Sequence, residues 1–203
     1  MRKANQLFFA AAVALFFGLA PMAAYADTGR DIQEWLTAAA LIFLRHEAGH
    51  YQAGTDLATG FRYTGGGSLG LAYSLNRPPG PKAESRIVAR VQQGAVAAGG
   101  FVGQQQAVEW ADLPTPLYQK SLLLSGAFQA AYVVFDRLQP ANTGDIRRMS
   151  KSAPDHLVIG SVLVSSMSDL VRGYSGSRPA ANRLGLFSDA PSGAVGLAFS
   201  GKF

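Results

Sequence analysis

The sequence contains no cysteine among its 203 residues. No disulfide framework can hold the fold, and any metal site must be built from histidine, aspartate or glutamate. Histidine is scarce, with three in the chain, and only 15% of residues are charged. No Lys/Arg cluster interleaved with aromatics is present, so no nucleic-acid partner is expected. No apolar run reaches the roughly 20 residues that a membrane-spanning helix needs. Stability must therefore come from a buried core, and a chain of this length can form one.

What is present begins with a targeting pattern. Arg2 and Lys3 precede an apolar run from Leu7 to Leu19, and Ala24-Tyr25-Ala26 has the small-x-small form of a cleavage site. Residues 1–26 are read as a secretory signal peptide, with an uncleaved anchor as the alternative. The remainder, 27–203, is read as a single domain of the periplasm or cell envelope. Two of the 18 basic residues and none of the 13 acidic ones fall in 1–26, so the remainder carries a net charge of about +3. That is an ordinary solvated surface.

The periodicity predicts a helix-rich α+β domain, with about four helices and a small antiparallel sheet from two hairpins. A first helix starts near Asp31, with Glu34 completing a capping box, and Ile32, Trp35, Leu36, Ala39, Phe43, His46 and His50 recur at steps of three and four. Phe61–Tyr63 and the alternation from Leu69 to Leu75 form a hairpin around Gly65-Gly66-Gly67. A second helix runs from about Ala83 to Ala111. Gly94, Gly99, Gly100 and Gly103 crowd its middle, where each glycine costs roughly 1 kcal/mol against alanine. Close approach of another backbone, or a kink, accounts for them. Thr115-Pro116 opens a third helix to about Leu138, a short helix spans 145–151, and a fourth runs from about Asp155 to Arg172. The last two long helices are expected to be core helices, with an intramembrane bundle as the alternative. Leu184–Phe187 and the alternation from Val195 to Phe203 form a second hairpin. Gly70–Ser74 and Gly196–Ser200 are nearly the same string and are expected side by side in one sheet. A terminal Phe203 after such a strand also suits an outer-membrane barrel, but about four strands are too few to close one.

The chemistry concentrates in His46-Glu47-Ala48-Gly49-His50, of the form H-E-x-x-H. On a helix, side chains four apart share a face, so both imidazoles can hold one tetrahedral ion. Glu47 is placed to act as general base. The small Ala48-Gly49 pair lets another element approach closely.

These five residues resemble the zinc site of zincin metallopeptidases, of gluzincin-like type. The resemblance implies a zinc-dependent peptidase of the cell envelope. His46 and His50 would bind Zn²⁺, Glu47 would take a proton from zinc-bound water, and a peptide or protein would be the substrate. The third ligand is open between three residues. Glu109 on the second helix is first in order, on a proposed common face with Gly99, Gly103 and Gln106. His156 is second and Asp56 third, six residues past His50. The alternative function is a non-catalytic exported or membrane-associated envelope protein with a degenerate or structural H-E-x-x-H site.

Overall fold

The computed structural model describes residues 28–66, 71–110, 113–138, 144–176, 183–189 and 194–200. The expected signal peptide over 1–26 and the carboxy-terminal Phe203 lie outside them. The chain is helix-rich α+β. In order, it forms α1 (Thr28–Asp56), β1 (Arg62–Gly66), β2 (Leu71–Ser74), α2 (Lys82–Trp110), α3 (Thr115–Leu138), α4 (Asp145–Met149), α5 (Asp155–Ser175), β3 (Arg183–Asp189) and β4 (Ala194–Ser200).

The strands make two separate antiparallel pairs, β1 with β2 and β3 with β4. The two similar strings therefore do not share a sheet, because each finds its partner in the neighbouring arm of its own hairpin. In the first hairpin Gly65 lies within β1 at a register shift, with φ +144. Only glycine adopts that conformation without strain.

The start of α1 differs from the sequence reading. The helix is already formed at Thr28, and Asp31 and Glu34 do not cap it. Both carboxylates instead bind the Lys120 ammonium of α3. The inward stripe of α1 is also displaced. Ala38, Ile42, His46, Gly49 and His50 are buried, with Trp35 and Ala39 packed beside them, whereas Ile32, Leu36 and Phe43 are exposed. The lysine clamp turns the Asp31–Glu34 side of the helix towards α3, which carries Ile32 and Leu36 outward.

Two apolar cores result. Ala38 and Ile42 meet Val108, Tyr118, Leu122 and Leu124 in one. Ala97, Ala98, Phe101, Tyr132, Ile146, Met149, Val158 and Val162 form the other. His46 follows Ile42 by one turn and packs edge-on against Phe101 and Phe128, so the H-E-x-x-H segment sits where the cores meet.

The glycines of α2 serve close approach. A Cβ on Gly49 would lie 2.0 Å from the Gly99 carbonyl oxygen, and one on Gly103 would lie 2.5 Å from that of Arg45. Only bare backbones can cross at that distance.

The contact between α3 and α5 is polar inside and apolar outside. Ser125, Gln129, Ser165, Ser166 and Asp169 are buried, while Leu157, Val164, Met167, Val171 and Tyr174 of α5 are exposed. The expectation of an apolar core helix thus holds only for part of α5. No helix among the described residues is long and apolar enough to cross a membrane.

Candidate metal centre

Three elements bring the site together. α1 supplies His46, Glu47 and His50, all buried, and α4 supplies Asp145, also buried. The glycine-rich turn of α2 closes over the histidines. A Cβ on Gly100 would stand 2.4 Å from His50 Cε1, 2.6 Å from its Nε2 and 2.8 Å from His46 Cε1.

His46 Nε2 and His50 Nε2 are 3.2 Å apart. Asp145 Oδ2 is 3.5 Å from the first and 3.3 Å from the second. A tetrahedral ion with bonds of about 2.0–2.1 Å places its ligand atoms about 3.3–3.4 Å apart. The triangle matches that spacing on all three sides. Among the described residues, this is the one group of three His, Asp or Glu side chains arranged to hold a metal ion.

The atoms behind the triangle fix its orientation. His50 Nδ1 lies 2.8 Å from the Val96 carbonyl oxygen and donates its hydrogen there, which leaves Nε2 with a free lone pair. His46 Nδ1 is buried without a partner. Tyr132 donates its hydroxyl to Asp145 Oδ2 at 2.8 Å, and Tyr73 donates to Oδ1 at 3.3 Å. Arg148 stacks over the Tyr73 ring at 4.0 Å. Gly144, next to Asp145, packs tightly on the buried Asp136. A Cβ on Gly144 would stand 1.6 Å from Asp136 Oδ1, so any larger residue there must displace that side chain.

Glu47 is held from the hairpin. Its Oε1 accepts the Leu71 N–H of β2 at 3.0 Å, and Tyr63 donates to its backbone carbonyl at 2.6 Å. Its Oε2 is buried with no hydrogen-bond partner. A proton acceptor therefore remains available beside the triangle.

The charges suit a cation. Burial works to raise the Asp145 carboxyl, but the charge of His50 and hydrogen bonds from His46 and His50 hold it well below the usual carboxylate range. Burial likewise works against a charged His50, yet Asp145, the Val96 carbonyl and Glu47 push its affinity for a positive charge upward. Two carboxylates and two neutral imidazoles carry a formal charge of minus two, which one divalent ion balances. Two imidazoles and a carboxylate suit a first-row divalent ion such as zinc, copper, iron or nickel.

The structure thus joins His46 and His50 to a residue that the spacing did not single out. Glu109 is elsewhere, paired with Arg172 of α5 at 2.9 Å. Its distance from the site follows from helix geometry. Gly100, nine residues earlier, marks the level of the histidines, about 13–14 Å back along the axis, and six steps of about 100° turn Glu109 about 120° from the Gly103 face. His156 is exposed on the first turn of α5, and Asp56 is exposed at the end of α1. Neither belongs to the cluster. Asp145 lies 95 residues beyond His50 and reads in the sequence only as the start of a short helix. Its one sequence signal is membership of a small pool of 13 acidic residues. Compared with known proteins, the chain matches no family model, no curated protein and no solved structure.

Proposed function

We propose that the chain is a zinc-dependent peptidase of the cell envelope, with His46, His50 and Asp145 as the ligands and Glu47 as the general base. The observation that carries this reading is the triangle of His46 Nε2, His50 Nε2 and Asp145 Oδ2, with sides of 3.2, 3.3 and 3.5 Å. A bound zinc would supply Lewis acidity to the substrate carbonyl and lower the pKa of water. Glu47 Oε2 takes a proton from the attacking water and passes it to the departing amine nitrogen. The Leu71 N–H on Oε1 keeps the carboxylate in place during both transfers. Tyr132 and Tyr73 hold both carboxylate oxygens of Asp145, which fixes the direction of the third ligand atom. Extended peptide backbone would add to the free edge of the β1–β2 pair.

Metal analysis of the full chain tests the ligand set. About one zinc per chain is expected, lost in Asp145→Ala and retained in Glu109→Gln. The reverse pattern would restore Glu109 as the ligand, and a wild type without metal would end the reading. For the base, Glu47→Gln should keep its zinc and lose peptide hydrolysis by about 10²- to 10⁴-fold.

A second reading is a closed, non-catalytic metal site. Its support is burial: His46 and His50 are each 2% exposed and Asp145 is 5% exposed. It expects zinc in the wild type and no hydrolysis of any peptide in a mixed library. Export is tested separately by the amino terminus of the secreted protein, expected at Asp27 if residues 1–26 are removed.

A further inference from the structure

A cavity of about 390 Å³ is lined by none of His46, His50 and Asp145. Asn76 and Arg77, from the segment after β2, form one wall. Ser85, Arg86, Gln92 and Gln93 form the other, on a single face of the first turns of α2. Leu75 and Ala89 complete the lining, and no carboxylate contributes to it among the described residues.

The polar groups of this lining mostly donate. Neither Arg77 nor Arg86 forms an ion pair among the described residues. Gln93 already has its Oε1 occupied by the Lys151 ammonium at 3.1 Å, so what it still offers is its amide N–H groups. Ser85 is 2% exposed, and its hydroxyl has no partner. The positive charge extends behind the wall. Burial, then the nearby Arg148 and Arg90, lower the affinity of Lys151 for its proton. The wall is also held in place, since the Asn76 N–H donates to the Thr59 carbonyl at 2.7 Å. Arg77 and Arg86 are exposed, and an open cavity that joins their guanidinium groups to carboxamides, with no acid among the described lining residues, is complementary to an oxyanion, which arginine binds through parallel N–H groups.

We propose that this cavity binds an oxyanion group, a carboxylate or a phosphate, on a small molecule or at the end of a peptide. The site is separate from the metal ligands but shares α2 and the end of β2 with residues that support them. Gln93 precedes by one turn Val96, whose carbonyl holds His50, and Leu75 follows by two residues Tyr73, whose hydroxyl holds Asp145. The proposal concerns anion binding and does not depend on peptidase activity.

Calorimetric titration of the full chain tests it with three probes: inorganic phosphate, N-acetyl-trialanine with a free carboxylate, and the corresponding amide. The expected result is saturable one-to-one binding of phosphate or the free carboxylate with Kd below about 1 mM, and none of the amide. The anion that binds identifies the source. The double variant Arg77→Gln, Arg86→Gln, checked for retained helicity, should bind at least tenfold more weakly, with partial recovery in Arg77→Lys, Arg86→Lys. Asp145→Ala, without its metal centre, should bind as the wild type does. Absence of saturable binding, unchanged binding in the double glutamine variant, or loss of binding in Asp145→Ala would each overturn the proposal, the last by placing the anion at the metal.

Discussion

Gly100 shows how closely the proposed metal centre depends on single atoms. Any Cβ there enters the space of both imidazoles, with His50 Nε2 2.6 Å away. Gly100→Ala should therefore weaken zinc binding at least tenfold in competition with a chromogenic chelator, while helicity persists. Unchanged affinity would mean that the histidines do not use the space beneath this glycine. Tyr132→Phe removes a hydroxyl from Asp145 Oδ2 but leaves the ring in the core. Loss of such a supporting hydrogen bond lowers metal affinity by about 10- to 100-fold. Acid should act at the same place. His50 holds its proton more tightly than an ordinary imidazole of pKa 6.5, and a protonated ring cannot ligate. As pH falls through that raised pKa, the apparent zinc affinity should weaken, read by chelator competition at each pH. At this scale the sequence made His46, Glu47 and His50 legible, because four residues of helix fix their relation. Asp145 was not legible, because its relation to them passes through the packing of α2 and α3.

At the scale of elements, the decisive feature is the α1–α2 crossing. Gly49 and Gly99 meet backbone to backbone, and a methyl group at position 49 would stand 2.0 Å from a carbonyl oxygen. Gly49→Ala should destabilise the fold by about 2–3 kcal/mol in urea denaturation, within the range for overpacking. Gly160, in the middle of α5, has nothing within 4 Å of its added Cβ. Gly160→Ala should instead stabilise by up to about 1 kcal/mol, since alanine is the better helix former. Equal effects at the two positions would contradict the crossing. The sequence pointed to this contact through the density of glycine in α2, and it placed α2 to within about a residue at each end. The inward face of α1 was less legible. Period put Ile32, Leu36 and Phe43 on one stripe with His46 and His50, whereas the structure buries Ala38 and Ile42 with the histidines, and the Lys120 clamp to Asp31 and Glu34 helps to set that rotation.

Across the whole molecule, polar groups are concentrated inside the α3–α5 contact. Ser125 Oγ donates to Asp169 Oδ2 at 2.7 Å and accepts from Gln104 at 2.8 Å and Gln129 at 3.1 Å. Burial pushes the Asp169 carboxyl up to about 6 from 3.8, against the hydrogen bond from Ser125 and the charge of Arg172. The sign of its effect on stability follows. Between pH 4 and pH 6 the folded chain holds this proton more tightly than the unfolded one, so stability falls as pH rises through that window. The loss through this group is on the order of 2–3 kcal/mol. Asp169→Asn keeps the network's polarity without the titration, and its urea midpoint should vary less over pH 4 to 6 than that of the wild type. A parallel pH profile in the two proteins would show that folding leaves the Asp169 pKa unshifted. Asp136, also pushed up to about 6, by burial and then by the charge of Asp145, acts with the same sign.

The sequence by itself determined the helices, the two hairpins and the paired histidines with their glutamate. Each follows from local rules, in which periodicity and turn chemistry act over a few residues. Only the tertiary structure decided that Asp145 completes the triangle, that Glu109 pairs with Arg172, and that α5 turns its serines inward. Those outcomes depend on which faces of distant elements meet. That is set by the glycine crossing of α1 on α2 and by the polar contact of α3 with α5, neither of which any single stretch of chain specifies.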